Sequence, residues 1–372
     1  MSLREGTDKM KNFEKSISIG SDDLGEASLI SGGKCRSSRR VYTKSPLIAY
    51  MSERISTLQE RVKLVDDSIP RFLPITPPDE LYYAMRHLLD AGGKRLRPAA
   101  MLLATEAVGG TVENILPAAV ALELIHNFTL IHDDIMDDAD IRRGLPTVHK
   151  NWGVSGAIIA GDALYSKAIE ILLYAKSEPS YIIESIDLLS KTCMDVCEGQ
   201  WMDINFQSRK DVTEEEYICM VERKTALLFA AALKIGAILS GANKDISQAL
   251  WNFGRLAGIG FQIYDDVIDL ITPEEILGKA RGGDIMEGKS TLIVIHALSK
   301  GVAIEALGKS NATPNEVLAA LTALQESGSI DYAMNKAMSF VEKGKSALRV
   351  LHDSEAKKTL IGLADYMIER KY

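Results

Sequence analysis

Residues 132–140 read HDDIMDDAD, and this acidic stretch is the most informative part of the sequence. In an α-helix, Asp133 and Asp137 lie one turn apart on the same face, with Asp134 beside them. Carboxylates packed this closely repel one another and destabilise the helix unless a cation compensates. Mg²⁺ binds carboxylate oxygens and keeps other positions for water and phosphate oxygens. The stretch therefore predicts a magnesium site; the alternative is a solvated acidic face at a helix end.

The same spacing of aspartates recurs in residues 264–270, which read YDDVIDL. The three carboxylates here are Asp265, Asp266 and Asp269, and they lie between large apolar residues. A purely solvated face is not usually flanked by such residues, so the second cluster favours the metal interpretation of both. Two facing clusters predict several Mg²⁺ ions around one diphosphate.

A glycine pair followed by three cations makes residues 92–98, GGKRLRP, a candidate diphosphate-binding loop at a helix start. Alone, a basic turn of this kind is more often simply solvated. Further cations are Arg142, Arg143, Lys224, Lys279 and Lys289. An acidic chain that places cations beside its carboxylate clusters is suited to anions bridged by metal ions.

Charge and composition exclude several classes of protein. The net charge of −8 provides no basic field for nucleic acid. No stretch reaches the roughly 18 uninterrupted apolar residues of a membrane span, and the N-terminus lacks the apolar core of a signal peptide. Four cysteines do not make a disulfide framework, and Cys193 and Cys197 are interpreted as buried thiols in a reducing compartment. We expect a cytoplasmic protein.

The pattern along the chain predicts an all-α protein. Residues 1–45 are rich in serine, glycine and charge, which is typical of a disordered leader. From residue 46 onward apolar residues recur at helical spacing, Thr213 and Glu216 form a capping-box pattern, and residues 227–239 are apolar on several sides. There is no sustained alternation typical of strands. We predict one helical domain over residues 46–372, a bundle around a central substrate cavity.

Together these motifs resemble the trans-isoprenyl diphosphate synthase (polyprenyl synthase) family, most closely the archaeal-type geranylgeranyl diphosphate synthases. The resemblance runs from about residue 50 to the C-terminus. It is carried, in order, by GGKRLRP, DDIMDDADIRRGLPTVH, GDAL, EGQWMD, KTA and GFQIYDDVIDL. It implies a head-to-tail condensation of isopentenyl diphosphate with an allylic diphosphate (dimethylallyl, geranyl or farnesyl) in a homodimeric, magnesium-dependent prenyltransferase.

The resemblance also implies roles for individual residues. Three Mg²⁺ ions would be held by Asp133, Asp134, Asp137, Asp265 and Asp266, with Asp269 acting mostly through water. The allylic diphosphate would be gripped by Arg142, Lys224 and Lys279, with Lys289 nearby. Isopentenyl diphosphate would be bound by Lys94, Arg97, His126 and Arg143. The developing carbocation would lie beside Thr225 and Gln262.

Product length is predicted from the residues before the first motif. Within the family, an aromatic residue five positions ahead of the first aspartate tends to close the elongation tunnel, and here that residue is Phe128, followed by the small Thr129. The pattern implies geranylgeranyl diphosphate (C20), with farnesyl or longer polyprenyl diphosphates as alternatives. That Phe128 is an ordinary core residue also stays open.

Three other functions are compatible with parts of the sequence. A class I terpene cyclase also ionises a diphosphate with an aspartate-rich helix, but it has no use for the 92–98 loop. A non-catalytic partner subunit would tend to have lost aspartates, whereas both motifs are whole. A helical scaffold would leave the repeated carboxylates unexplained.

Overall fold

The computed structural model describes residues 46–209, 211–272 and 282–368, with the side chains from residue 56 onward. Helices of the first half are α1 (Pro46–Phe72), α2 (Asp79–Asp90), α3 (Leu96–Ala107), α4 (Val112–Met136), α5 (Val148–Leu172) and α6 (Pro179–Phe206). Those of the second half are α7 (Glu214–Val221), a π-helix (Glu222–Ala226), α8 (Leu227–Leu239), α9 (Lys244–Ile271), α10 (Gly283–Met286), α11 (Leu292–Ser299), α12 (Pro314–Glu326), α13 (Ser329–Ala347), a 3-10 turn (Leu348–Val350) and α14 (Glu355–Ile368). The predicted leader, residues 1–45, lies outside the described residues.

The centre of the bundle is formed by helices that are apolar on more than one face. Every residue of α8 except Lys234 is buried, as its composition predicts. It packs against α3, α6 and α9, while α4 packs against α5 and α9 against α13. These contacts bury continuous layers of Leu, Ile and Ala, which is the main source of the fold's stability. The prediction of an all-α bundle is confirmed.

Helix α4 is long and apolar enough to cross a membrane by composition, and is the one such helix in the described part of the chain. However, 67% of its most apolar window is buried inside the protein. It also ends in the acidic stretch at Asp133 and Asp134. The helix therefore serves as the core element that carries the first motif into the bundle.

The predicted helix start at Thr213 is confirmed. The Thr213 hydroxyl accepts the backbone N–H of Glu216, and the Glu216 side chain accepts the N–H of Thr213. This reciprocal arrangement satisfies two of the donors that every helix N-terminus leaves unpaired. Helix α7 therefore begins at a fixed point, which matters because it carries a residue of the site.

A small antiparallel hairpin follows the first motif, which the sequence pattern did not predict. Strands β1 (Ile141–Arg142) and β2 (Leu145–Pro146) are joined by Arg143 and Gly144, both with positive φ. A two-residue turn with both residues in the left-handed region matches the twist of a hairpin. Strands of two residues are too short to show alternation of apolar and polar residues, so the sequence pattern does not predict them.

The cysteine expectation is only partly correct. Cys193 is buried, and burial raises the pKa of its thiol to about 12. Cys197 is exposed one turn away, so the interpretation of both residues as buried thiols is wrong for Cys197. Cys219 is also exposed, and the three cysteines among the described residues are all free thiols.

Candidate active site

The first aspartate motif lies at the C-terminal end of α4. Asp133 is in the last turn, and the N–H of Asp137, which caps the helix, donates to the carbonyl oxygen of Asp133 at 2.9 Å. The two carboxylates therefore share one face, as the spacing predicts. The helix dipole is negative at this end, so it adds to the repulsion between them. Partial desolvation and the neighbouring Asp133 raise the pKa of Asp137.

Cations compensate this charge from two sides. Arg142 on β1 holds Asp134 through contacts of 2.6 and 2.7 Å to Oδ1 and lies 3.9 Å from Asp133. The Asp134 side chain is 1% exposed, and its buried Oδ2 meets no hydrogen-bond partner among the described residues. Burial raises the pKa of Asp134 although Arg142 opposes the shift. Of the first motif, Asp134 faces Arg142, Asp133 is half-buried and Asp137 is exposed.

Lys224 connects the first motif to α6. Its ammonium lies 3.8 Å from Asp133 Oδ1 and donates to Asp203, a residue of the EGQWMD stretch to which the sequence analysis gave no role. Burial lowers the pKa of Lys224, but Asp203 and Asp133 together raise it above its ordinary value. The lysine is therefore a firmly charged group at the edge of the motif.

The π-helix is the reason that Lys224 and Thr225 lie where they do. A Cβ on Gly199 of α6 would come 2.3 Å from the backbone nitrogen of Lys224. On the other side, a Cβ on Gly258 of α9 would come 2.7 Å from Cα of Ala226. Side chains at these two glycines would push the backbone apart, so both glycines are required for the close approach. Turns of this kind are common at functional sites.

The second motif lies inside α9, and its central residue is held by neutral donors. The Tyr217 hydroxyl donates to Asp266 Oδ2 at 2.6 Å, and the Gln262 amide donates to Oδ1 at 3.0 Å. Thr225 in turn donates to Gln262 Oε1 at 3.1 Å, so the predicted carbocation residues are neighbours. Burial and the nearby Asp284 raise the pKa of Asp266 to about 7.

Asp269 and Lys289 lie at the other end of this motif. Asp269 is buried, and its Oδ2 is 3.4 Å from the backbone N–H of Asp284. Lys289 contacts Asp284 at 2.8 Å and Glu287 at 2.9 Å, and these acids raise its pKa although burial opposes the shift. Lys289 and Lys224 both lower the pKa of Asp137 in the first motif. Lys289 therefore acts on the first motif while it is paired with Asp284, whose backbone N–H lies near Asp269 of the second motif.

The predicted isopentenyl diphosphate residues form a second cationic group. Arg97 lies 3.4 Å from His126, and its buried Nε meets no acceptor within the described chain. Arg143 donates to the carbonyl oxygens of Leu88 (at 2.7 Å) and Gly92. Burial and the surrounding arginines lower the pKa of His126 well below its ordinary range, so it is neutral at pH 7. Such a buried excess of positive charge fits an anionic ligand.

One cation of the 92–98 loop does not belong to this pocket. Arg95 is 4% exposed and binds Glu123 at 2.6 Å and Asp66 at 2.8 Å. It adopts a left-handed backbone conformation just before α3. The expectation that three cations of the loop serve a diphosphate therefore fails for Arg95, which joins helices instead. Lys94 is exposed at the tip of the loop.

The residues predicted to set product length lie one and a half turns before the motif. Phe128 packs edge-on against His132 and Tyr165, with ring centroids 4.8 and 5.5 Å away. The Thr129 hydroxyl donates to the carbonyl oxygen of His126. Phe128 thus contacts α5, and its role in chain length stays a prediction. Lys279 lies outside the described residues.

The donors of the site fit magnesium only in combination with a ligand. No three His, Cys, Asp or Glu side chains converge as a preformed metal site within the ranges that the structure describes. Hard carboxylate oxygens are present, including the unsatisfied Oδ2 of Asp134. Mg²⁺ typically takes one or two carboxylates and completes its shell with water and phosphate oxygens. The donor set therefore fits magnesium carried with a diphosphate.

A cleft of about 520 Å³ lies between α6, α7, the π-helix and α13. Its walls include Glu214, Glu222, Lys336 and Phe340, and no aspartate of either motif. It is not the predicted substrate cavity, which stays a prediction.

An all-α bundle that carries two aspartate motifs with lysines beside the first, together with a cluster of arginines, is the architecture of the helical prenyltransferases. The chain belongs to the polyprenyl synthetase family, whose profile matches residues 78–324. This confirms the resemblance and the trans-prenyltransferase class of enzyme.

Relatives and solved structures cover most of the chain. A geranylgeranyl diphosphate synthase of Methanosarcina mazei is 57% identical over 86% of this chain and 98% of its own. A geranylfarnesyl diphosphate synthase of Natronomonas pharaonis is 44% identical over 85% of this chain and 98% of its own. The solved structure of a geranylgeranyl pyrophosphate synthetase from Geoglobus acetivorans has a TM-score of 0.80 at 43% identity and covers 84% of this chain and 99% of that one.

Proposed function

We propose that this chain condenses isopentenyl diphosphate head to tail with an allylic diphosphate, releasing diphosphate and forming geranylgeranyl diphosphate. The observation that carries the proposal is the pairing of two anion sites. One is the pair of aspartate motifs, the first of which is acted on by Lys224 and Lys289. The other is the Arg97–His126–Arg143 cluster, on whose Arg97 the second motif acts through Asp265. A reaction between two diphosphates needs two such sites side by side.

The allylic diphosphate is placed at the motifs. Three Mg²⁺ ions would be held by Asp133, Asp134 and Asp137 together with the aspartates of the second motif, and they would supply Lewis-acid stabilisation of the departing diphosphate. Lys224 and Lys289 provide fixed positive charge at the same place, and Arg142 does so from β1. Fixed charges aimed at the leaving group stabilise the transition state more than the ground state.

The carbocation left behind is placed beside Thr225 and Gln262. The Gln262 amide donates its N–H to Asp266, which leaves its carbonyl dipole directed toward Thr225 and the space beyond. Oxygen dipoles stabilise a cation without forming a covalent bond to it. The double bond of isopentenyl diphosphate, held by Arg97, Arg143 and neutral His126, then attacks, and a proton leaves to the released diphosphate.

Product length is assigned to C20 on two grounds. Phe128 has an aromatic contact with α5 that keeps its ring in place. Relatives with 57% and 44% identity are named geranylgeranyl and geranylfarnesyl diphosphate synthases, which supports a product of about this length. Geranylfarnesyl diphosphate is therefore the second candidate.

We also propose that the enzyme is a cytoplasmic homodimer. Apolar side chains are exposed along α6 at Ile183, Met194 and Trp201, which are 68%, 61% and 71% exposed. Their helical spacing places them on one face. Neighbouring α5 exposes Ile158 and Ile159. Monomers rarely leave such a patch open, and a second copy of the same chain would cover it.

Product analysis with radiolabelled isopentenyl diphosphate tests the reaction. The protein is incubated with dimethylallyl, geranyl or farnesyl diphosphate, with Mg²⁺ or with a chelator. We expect C20 product only when both substrates and Mg²⁺ are present. A cyclic hydrocarbon from geranylgeranyl diphosphate alone would instead identify a terpene cyclase, and undiminished turnover with chelator would overturn the metal assignment.

A matched pair of lysine variants distinguishes a specific role of Lys224 in the site from the general effect of removing a positive charge. Lys224→Gln removes the cation beside Asp133 and is expected to lower kcat at least about 100-fold. Lys234→Gln removes a half-buried lysine that contacts Gln248 and the ring of Trp251 on the neighbouring helix, and it should leave kcat unchanged. Equal effects of the two changes would contradict the placement of the diphosphate.

A further inference from the structure

Tyr217 has no role in the reaction as described so far, yet its hydroxyl touches the second motif. The side chain is 1% exposed and lies in the apolar cluster that includes Val221, Ile263 and Val267. Its hydroxyl reaches out of this cluster to Asp266 Oδ2 at 2.6 Å. A buried hydroxyl needs a partner, but an apolar side chain of the same shape would fill the same space without that requirement. The hydroxyl is therefore best explained by what it does to Asp266.

Asp266 receives one neutral donor on each oxygen. Tyr217 occupies Oδ2 and Gln262 occupies Oδ1, so the carboxylate plane is fixed about its terminal torsion. An ionised carboxylate offers about four acceptor positions, so about two remain for a metal ion or its water. Two short hydrogen bonds therefore decide in which direction the remaining lone pairs point.

The same contacts fix the amide of Gln262. Because Asp266 Oδ1 accepts from Gln262 Nε2, the amide oxygen must point the other way, where it accepts from Thr225. The chain of bonds runs from Tyr217 through Asp266 and Gln262 to Thr225. If Asp266 turned, Gln262 could reverse its amide and present N–H groups to the space where the carbocation is placed.

We propose that Tyr217 is a positioning residue that orients Asp266 for the metal and, through it, Gln262 for the carbocation. This rests on the proposed function. Tyr217 itself touches neither substrate. Its own position is fixed by the short helix α7, which starts at the Thr213–Glu216 capping box, and Arg209 binds Glu216 at 2.8 Å.

The test compares two hydroxyl deletions that involve the same helix. Tyr217→Phe removes the donor to Asp266. Tyr332→Phe removes a donor to Glu214 Oε2 at 2.7 Å, at the first residue of α7, and has no contact with either motif. Both changes delete a tyrosine–carboxylate bond that involves α7, so a loss of activity caused only by loosening of this helix would appear in both variants.

Metal binding is measured directly as well as through turnover. Mn²⁺ is titrated by electron paramagnetic resonance in the presence of inorganic pyrophosphate, and kcat and KM are measured with Mg²⁺. Loss of a group that orients a metal ligand typically costs 10- to 100-fold in affinity or activity. We expect Tyr217→Phe to weaken Mn²⁺ binding and lower kcat by about that factor, with KM for isopentenyl diphosphate unchanged. Tyr332→Phe should match the wild type.

Three outcomes would overturn the proposal: wild-type Mn²⁺ affinity in Tyr217→Phe, equal losses in both variants, or a loss confined to KM for isopentenyl diphosphate. If Tyr217→Phe does not fold by itself, it is measured in the Asp266→Asn background, where no charged carboxylate is left without its donor. In that background the Tyr217 change should have no further effect on Mn²⁺ binding, because its only route is Asp266. Failure of the wild type to condense its substrates would refute the proposed function, whereas the Mn²⁺ titration would still report on Tyr217.

Discussion

The two aspartate motifs have the same spacing but differ in how their surroundings accommodate the charge. The first lies at a helix C-terminus, where the dipole opposes carboxylates, and charged Arg142 and Lys224 compensate it. The second lies within α9 in an apolar setting, where neutral Tyr217 and Gln262 donate to Asp266. Charged side chains therefore contact Asp133 and Asp134 of the first motif, whereas neutral donors orient Asp266 of the second.

Both motifs should be indispensable to turnover, and this is the largest effect that we expect. Asp133→Asn and Asp265→Asn each remove a carboxylate from the metal sites, so kcat should fall by about 1,000-fold or more. Circular dichroism should show folded proteins. Asp140→Asn, an exposed residue that contacts Lys150, is the matched control and should keep full activity. If either motif variant kept a tenth of the activity, the two motifs would not be equally required for turnover.

The charge-compensated character of the first motif predicts a large loss of stability when its cation is removed. Arg142→Leu leaves Asp134 buried without its partner, which should lower the free energy of unfolding by about 2–4 kcal/mol. Urea denaturation measures this. Adding Asp134→Asn should recover part of the lost stability, because the uncompensated buried charge is then removed. An unchanged midpoint in Arg142→Leu would mean that Asp134 does not depend on this pair.

The second motif predicts a different signature, a dependence of stability on pH without metal. The pKa of Asp266 is raised from 3.8 to about 7 in the folded protein, so the native state holds this proton where the unfolded chain has lost it. Its contribution to stability is therefore full below pH 4 and is lost as pH rises through about 7. In metal-free protein, Asp266→Asn should remove this decline relative to the wild type in urea titrations from pH 4 to 8. If the stability of the wild type and of Asp266→Asn depended on pH in the same way, the raised pKa of Asp266 would be contradicted.

The smallest effect concerns product length, which we assign to residues before the first motif. Phe128→Ala or Phe128→Ser should lengthen the main product by one or more isoprene units at similar turnover, as judged by chromatography of the dephosphorylated products. Tyr165→Phe keeps the ring that packs on Phe128 at 5.5 Å and should keep the product length. An unchanged product in both Phe128 variants would refute the assignment of this residue as the tunnel floor.

Local features of this chain were predictable from sequence, and long-range partners were not. The shared face of Asp133 and Asp137, the capping box at Thr213 and the buried α8 follow from spacing and residue type. Spacing also puts Cys193 and Cys197 on one side of α6, but it does not show that neighbouring elements cover only Cys193.

The same limit applies to the site. Lys224 pairs with Asp203 from another helix, and Tyr217 is 49 residues from Asp266. Arg95 and Arg97 are two residues apart in one basic loop, and only the folded chain shows that Arg95 turns inward to Glu123. Residue type identifies a donor or a charge, whereas its partner depends on how the helices pack.

The π-helix at Glu222–Ala226 makes the chemistry depend on the number of residues in one turn as well as on their identity. A π turn holds one residue more than an α turn closed over the same length. Deleting a single residue there would let α7 and α8 merge into one regular helix, in which the flanking residues keep nearly the same phase while the side chains within the former π turn change direction. Lys224 and Thr225 would then leave the aspartates although every functional side chain was still encoded. In this π-helix, deletion of one residue should therefore disturb the site more than most single substitutions would.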